Sequence, residues 1–138
     1  MVIADTGYWL ALADRRDRFH AAANVAFNRY KEPLVTTWPV VAETCHLLAR
    51  CLGVDSQRLF LGNYARGGFE VFDLELSHAE PLIKLMEKYR DLPMDLADAS
   101  LVLLAEELGH GRILSTDQRH FRTYRWKQRK PFENLLLA

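Results

Sequence analysis

Four acidic residues end, open or interrupt apolar runs: Asp5 follows Val2-Ile3-Ala4, Glu43 follows Val40-Val41-Ala42, Asp98 precedes Ala99-Ser100-Leu101-Val102, and Asp117 closes Ile113-Leu114-Ser115-Thr116. A carboxylate beside buried apolar segments needs a partner. No Lys or Arg lies within three residues of Asp5, Glu43 or Asp98. The economical partner is therefore shared, a hard divalent cation held by oxygen ligands. Carboxylates brought within about 4–6 Å repel, and without a cation at least one keeps its proton at neutral pH. Mg²⁺ or Mn²⁺ removes that penalty, lowers the pKa of a bound water for in-line attack on a phosphodiester, and stabilises the leaving oxygen. The chemistry expected is metal-dependent hydrolysis. Asp95, three residues before Asp98 and about 60° away around a helix, either widens the site to a second metal or is a solvated first-turn acid favoured by the helix dipole.

Each acid also has a plainer reading by itself. Asp5 before Thr6-Gly7 can cap the next helix, Glu43 alone reads as a surface helix residue, and Asp117-Gln118 reads as a turn. The joint pattern favours a common site.

The elements that must position these acids follow from periodicity. Short β-type runs alternate with longer stretches of helical period, which predicts βα units and a mainly parallel sheet. Strands are expected near Val2-Asp5, Leu34-Thr37, Phe69-Leu74 and Arg112-Thr116, with an edge strand near Arg122-Trp126. Helices are expected near Tyr8-Ala13, His20-Lys31, Pro39-Arg50, Asp55-Arg66, Ser77-Tyr89 and Leu96-Leu108, with Gly67-Gly68 and Gly109 as stops. Thr37 stands near a cap with Pro39 in the first turn, and Ser77 with Glu80 forms a capping-box pattern. Asp5 and Asp117 then end strands, where an α/β sheet has its ligand crevice. Glu43 falls at the edge of the stripe of Val40, Leu47 and Cys51, and Asp98 flanks Leu101, Ala105 and Leu108, so both lie between core and cleft.

Composition bounds the rest. A chain of 138 residues with 49% apolar content fits one domain, 1–138. Lys plus Arg balances Asp plus Glu at 18 each, so only the distribution of charge informs about partners. Arg112, Arg119, Arg122, Arg125, Lys127, Arg129 and Lys130 crowd one stretch whose only acid is Asp117. Within it Arg119, Arg122, Arg125 and Lys127 alternate with aromatics, a pattern that grips phosphates and stacks unpaired bases or else an amphipathic edge strand with buried rings. The first residues carry no basic segment of the secretory kind, and nothing approaches the ~18 apolar residues of a membrane span. Cys45 and Cys51 offer no zinc spacing. A cytoplasmic protein with reduced thiols is expected. His20, His46, His78 and His110 lie in different elements with no paired spacing and read as surface or core residues.

The ordered set of motifs resembles the PIN-domain ribonucleases, particularly VapC-type toxins of toxin-antitoxin pairs. Asp5-Thr6 after an apolar strand resembles the first motif, Val41-Ala42-Glu43 the second, Asp98-Ala99-Ser100-Leu101 the third, and Ser115-Thr116-Asp117 with Phe121 the fourth. The resemblance implies a three-layer αβα sandwich and a site in which Asp5, Glu43, Asp98 and Asp117 surround Mg²⁺ or Mn²⁺. It implies Thr6, Ser115 and Thr116 beside them, and Asp95 as a further acid before the third motif. His120 stands where many relatives carry an acid. It further implies an RNA substrate, a cognate antitoxin and a homodimer. The expected activity is an endoribonuclease in which water is the nucleophile. The alternatives are a non-catalytic RNA- or protein-binding PIN module and an RNA-processing nuclease without antitoxin. A haloacid-dehalogenase-like phosphatase is rejected because Gly7 stands where its second aspartate belongs, and no P-loop sequence is present.

Overall fold

Val2, Ile3 and Ala4 carry no polar side chain and lie fully buried. A strand apolar on both faces belongs at the centre of a parallel sheet covered by helices. The computed structural model describes residues 1–137. The chain runs β1 (Val2–Ala4), α1 (Thr6–Ala13), α2 (His20–Arg29), β2 (Leu34–Thr37), α3 (Trp38–Leu52), α4 (Val54–Ala65), β3 (Glu70–Phe72), α5 (Ala79–Lys88), α6 (Leu96–Leu108), β4 (Arg112–Leu114), α7 (Gln118–Thr123), β5 (Arg125–Trp126), β6 (Lys130–Pro131) and β7 (Glu133–Asn134). The five-stranded sheet has the order β3-β2-β1-β4-β7, and every pairing within it is parallel. The architecture is the expected αβα sandwich. No helix is long and apolar enough to cross a membrane among the described residues.

α6 is the helix on which the site depends most. Its residues Ala97, Ala99, Ser100, Leu101, Val102, Leu104 and Ala105 are buried, because the helix touches β1, β2, α3, α5 and β5. A helix apolar nearly all round must be enclosed in this way. Asp95 caps its start, accepting from the Asp98 amide at 2.9 Å. Gly109, at φ +78°, ends it with its N–H on the Ala105 carbonyl at 2.8 Å. The expected bounds, Leu96-Leu108, match the observed ones.

Two expectations need correction. The expected capping box of Ser77 and Glu80 is absent. Glu75 and His78 form it instead around a short 3₁₀ turn, Leu76–His78, and α5 begins only at Ala79. Thr37 is the N-cap residue of α3 and Pro39 sits in its first turn, as expected, but the Thr37 hydroxyl makes no capping bond. That hydroxyl shares a 2.6 Å hydrogen bond with Ser100 Oγ, tying β2 to α6. The edge strand expected near Arg122-Trp126 is divided. Residues 118–123 are helical, and Arg125–Trp126 pairs antiparallel with Lys130–Pro131 in a separate hairpin. The fifth strand of the main sheet is β7, parallel to β4.

Candidate active site

In a parallel sheet, the crevice lies beyond the strand ends where the winding reverses. Here β2 and β3 extend to one side of β1, and β4 and β7 to the other. Ala4 and Leu114 are in register, and the Asp5 amide continues the ladder to the Leu114 carbonyl at 3.0 Å. Asp5 and the segment Ser115–Asp117 therefore emerge side by side. A cleft of about 390 Å³ opens there, lined by Asp5, Glu43, Asp95, Asp98 and Asp117 together with Thr6, Gly7, Thr116 and His120. All four acids singled out in the sequence, and Asp95 with them, face one space.

Asp5 is 8% exposed. One carboxylate oxygen accepts the Thr6 amide at 2.8 Å, and the other accepts the Ser115 hydroxyl at 2.9 Å. Ser115 is fully buried, and its oxygen also accepts the Asp117 amide at 3.0 Å. One hydroxyl thus fixes two of the acids. Asp117 caps α7, accepting the His120 amide at 3.2 Å, and its carboxylate lies 2.7 Å from His120 Nδ1. Asp98 reaches back toward the Asp95 amide at 3.4 Å and is half-buried, whereas Asp95 is exposed. The reading of Asp95 as an end-of-helix acid describes its cap, and it also lines the cleft. Glu43 projects from the middle of α3.

Several contributors were not singled out from the sequence. Thr44 is fully buried, bonding the Val40 carbonyl at 2.7 Å and the Thr6 hydroxyl at 3.2 Å, so it locks α3 against α1 beside Glu43. Asn134 on β7 accepts the Ser115 amide at 3.4 Å and donates to the Ser115 carbonyl at 2.9 Å. Tyr124 is fully buried, donates to the Pro93 carbonyl at 3.2 Å, and lies near Asp98, which raises its phenol pKa after burial has done so. Gly7 faces Thr116 so closely that a Cβ there would fall 1.9 Å from Thr116 Oγ1. A glycine inside an apolar helix start has one local signal, its own departure from helix propensity. The other contacts join residues remote in sequence.

Burial raises the Asp5 pKa to about 6, with Glu43 and Asp117 adding repulsion against the hydrogen bonds of Thr6 and Ser115. Burial, then Asp95 and Asp5, push Asp98 up to about 8. As the side chains are placed, no three ligating groups already form a cage among the described residues. The donor chemistry nevertheless fits a hard divalent cation. Every acid of the cleft offers oxygen, and the burial and repulsion that raise Asp5 and Asp98 are the penalties a cation offsets.

Asp98 couples the stability of the metal-free protein to pH. Its folded pKa exceeds the unfolded value, so the native state holds the proton more tightly. The metal-free protein keeps this stabilisation below about pH 4 and loses it as pH rises toward 8. Asp98→Asn should therefore melt together with wild type near pH 4. It should be more stable at pH 8 by about 2 kcal/mol, a figure reduced for water in the open cleft. Thermal melts with chelator across that range test this, and a gain that is constant with pH would contradict it.

The basic tail divides by role. Phe121, Tyr124 and Trp126 are buried, so these rings pack in the core. The Arg125 guanidinium donates to the carbonyls of Arg122, Thr123 and Tyr124 and closes α7. Arg119, Arg122 and Lys127 are exposed. The other histidines are structural where their bonds are visible: His20 meets the Ala11 carbonyl, and His78 accepts the Glu75 amide.

The PIN domain profile matches residues 2–127. The chain is 33% identical to Ribonuclease VapC26 of Mycobacterium tuberculosis (strain ATCC 25618 / H37Rv) over 124 residues, which cover 90% of this chain and 92% of that protein. The crystal structure of Mycobacterium tuberculosis VapC20, described as a sarcin-ricin loop cleaving toxin, superposes with a TM-score of 0.79 at 18% identity, covering 86% of this chain and 92% of that one. With four acids converging at the switch point of a parallel sheet and these relationships along almost its whole length, the chain belongs to the PIN-domain family.

Proposed function

We propose that this chain is a divalent-metal-dependent endoribonuclease, the toxin component of a type II toxin-antitoxin pair, acting as one domain over residues 1–138. The observation that carries the reading is the meeting of Asp5, Glu43, Asp98 and Asp117 around one cleft. Its relation to Ribonuclease VapC26 directs that cleft to RNA. The partners that follow are an RNA substrate, a cognate antitoxin and a second copy of the chain.

Asp5, Asp98, Asp117 and Asp95 would hold Mg²⁺ or Mn²⁺, with Glu43 facing the same space. The ion, when bound, supplies a water of lowered pKa and positive charge for the phosphodiester oxygens. The protein's own task is orientation. Ser115 keeps an Asp5 oxygen and the Asp117 backbone in fixed relation. His120 restrains the Asp117 carboxylate. Thr6 and Thr116 line the cleft, Thr6 being held by Thr44. Water would attack phosphorus and the 3′-oxygen would leave, so the new 5′ end keeps the phosphate and the ribose 2′-hydroxyl takes no part.

The direct test incubates a mixed structured RNA pool with the protein, with Mg²⁺ or Mn²⁺, and with EDTA. Cleavage should require the metal and leave 5′-phosphate ends. A 2′,3′-cyclic phosphate on the products would refute hydrolysis by water.

A further inference from the structure

The seven basic residues of the tail do not gather at the acidic cleft. The hairpin β5–β6 instead presents Lys127, Arg129 and Lys130, all exposed, beside the exposed Lys84 and Lys88 of α5. The hairpin is fixed against the body at three points. Lys127 and Gln128 adopt left-handed backbone, φ 47° and 70°, and the Lys127 amide donates to Glu106 at 2.7 Å. Lys88 Nζ donates to the Gln128 carbonyl at 3.3 Å. Trp126, buried at the root of the hairpin, has Lys127 Nζ 5.9 Å and Lys130 Nζ 5.1 Å from its ring centroid.

Between hairpin and α5 lies a cavity of about 240 Å³, lined by Lys84, Lys88 and Arg125, with Glu106 as its one acid. None of Lys84, Lys88, Lys127, Arg129 and Lys130 forms an ion pair among the described residues. Glu106, Glu80 and Glu87 offset only part of this charge, and an excess of positive side chains on an ordered hairpin and the adjoining helix makes a surface for a polyanion. Glu106 lies eight residues beyond Asp98 on the same helix, about 12 Å along its axis. The patch is therefore separate from the cleft yet close enough for one nucleic acid to touch both.

We propose that the hairpin Arg125–Pro131 and the adjoining face of α5 form an exosite for the phosphate backbone of the RNA whose scissile bond enters the acidic cleft. This rests on the ribonuclease reading and adds to it where the remainder of the substrate lies. Contacts of this kind position without reading sequence. The exosite thus favours long or folded RNA over short fragments, whatever the cleft selects.

The test uses the full chain carrying Asp98→Asn, so that RNA is bound and not cut. Binding of a structured RNA of about 30 nucleotides is measured against salt, with and without Lys127→Gln, Arg129→Gln and Lys130→Gln together, and separately with Lys84→Gln and Lys88→Gln. Loss of three phosphate contacts should lower the slope of log K against log salt by about two to three, and loss of two by about one and a half. Affinity near 0.1 M salt should fall at least tenfold. In the background with Asp98 intact, the same substitutions should raise KM on long RNA and leave cleavage of a short oligonucleotide unchanged. Melting curves confirm that the variants fold, and the α5 pair serves as an independent check should the hairpin unravel. Unchanged slopes with RNA cleavage intact in the parent would overturn the exosite while the ribonuclease reading stands. Such a result would direct attention to an acidic protein segment. Absence of both RNA binding and cleavage in the parent would overturn the ribonuclease reading, and the exosite with it.

Discussion

Asp98→Asn should reduce RNA cleavage by several orders of magnitude while leaving the protein folded. The substitution retains shape and an acceptor oxygen for the Asp95 amide, so the capping of α6 survives. It removes one of the negative charges that a hard cation requires. An amide is a weaker ligand than a carboxylate, and the water-activating charge is lost with the ion. The same variant is expected to be more stable at pH 8, which separates catalytic from structural loss. Falling activity with rising stability is difficult to produce by misfolding. Titration of Mn²⁺ by calorimetry should show weakened binding in parallel. A variant that cuts RNA at the parental rate would remove Asp98 from the catalytic machinery.

Gly7→Ala should impair the enzyme nearly as strongly, by about a hundredfold, although a methyl group carries no chemistry. The new Cβ would stand 1.9 Å from Thr116 Oγ1 and 3.0 Å from its Cβ. Contact at those distances forces the segment 115–117 away from α1. Overpacking of this kind costs about 1–3 kcal/mol in stability. The larger effect is positional, because Thr116 links Ser115, which braces Asp5, to Asp117. A displacement near 1 Å at a catalytic group is worth about two orders of magnitude in rate. Thr116→Gly should restore much of the loss in the double variant by vacating the contested space. Steady-state cleavage by the two single variants and the double closes the cycle. Purely additive effects would show that residues 7 and 116 do not compete.

The parts legible in the sequence were those whose causes are local. α6 carries its own cap in Asp95 and Asp98 and its own stop in Gly109. The acids could be named because each stands against an apolar run that betrays burial. Helical period places Glu43 and Asp98 each between core and cleft, and on their different helices both line the cleft. The buried rings of the tail are legible but its strand is not, because strands of two residues are too short to display alternation. Arg122 and Trp126 looked continuous where a helix end and a hairpin adjoin. Asn134 gave no sign at all, since its role exists only once β7 lies beside β4. The capping box of Glu75 and His78 was missed because histidine is an unusual partner in that position.

That role of Asn134 has a consequence in time. Its side chain grips both the amide and the carbonyl of Ser115, the residue on which Asp5 and Asp117 depend. Synthesis proceeds from the N-terminus, so the four acids exist in the growing chain well before the brace that aligns them. Until residue 134 has left the ribosome, β4 is without its outer neighbour and Ser115 without its clamp. A nuclease built in this order stays unfinished until the strand that bears Asn134 has joined β4.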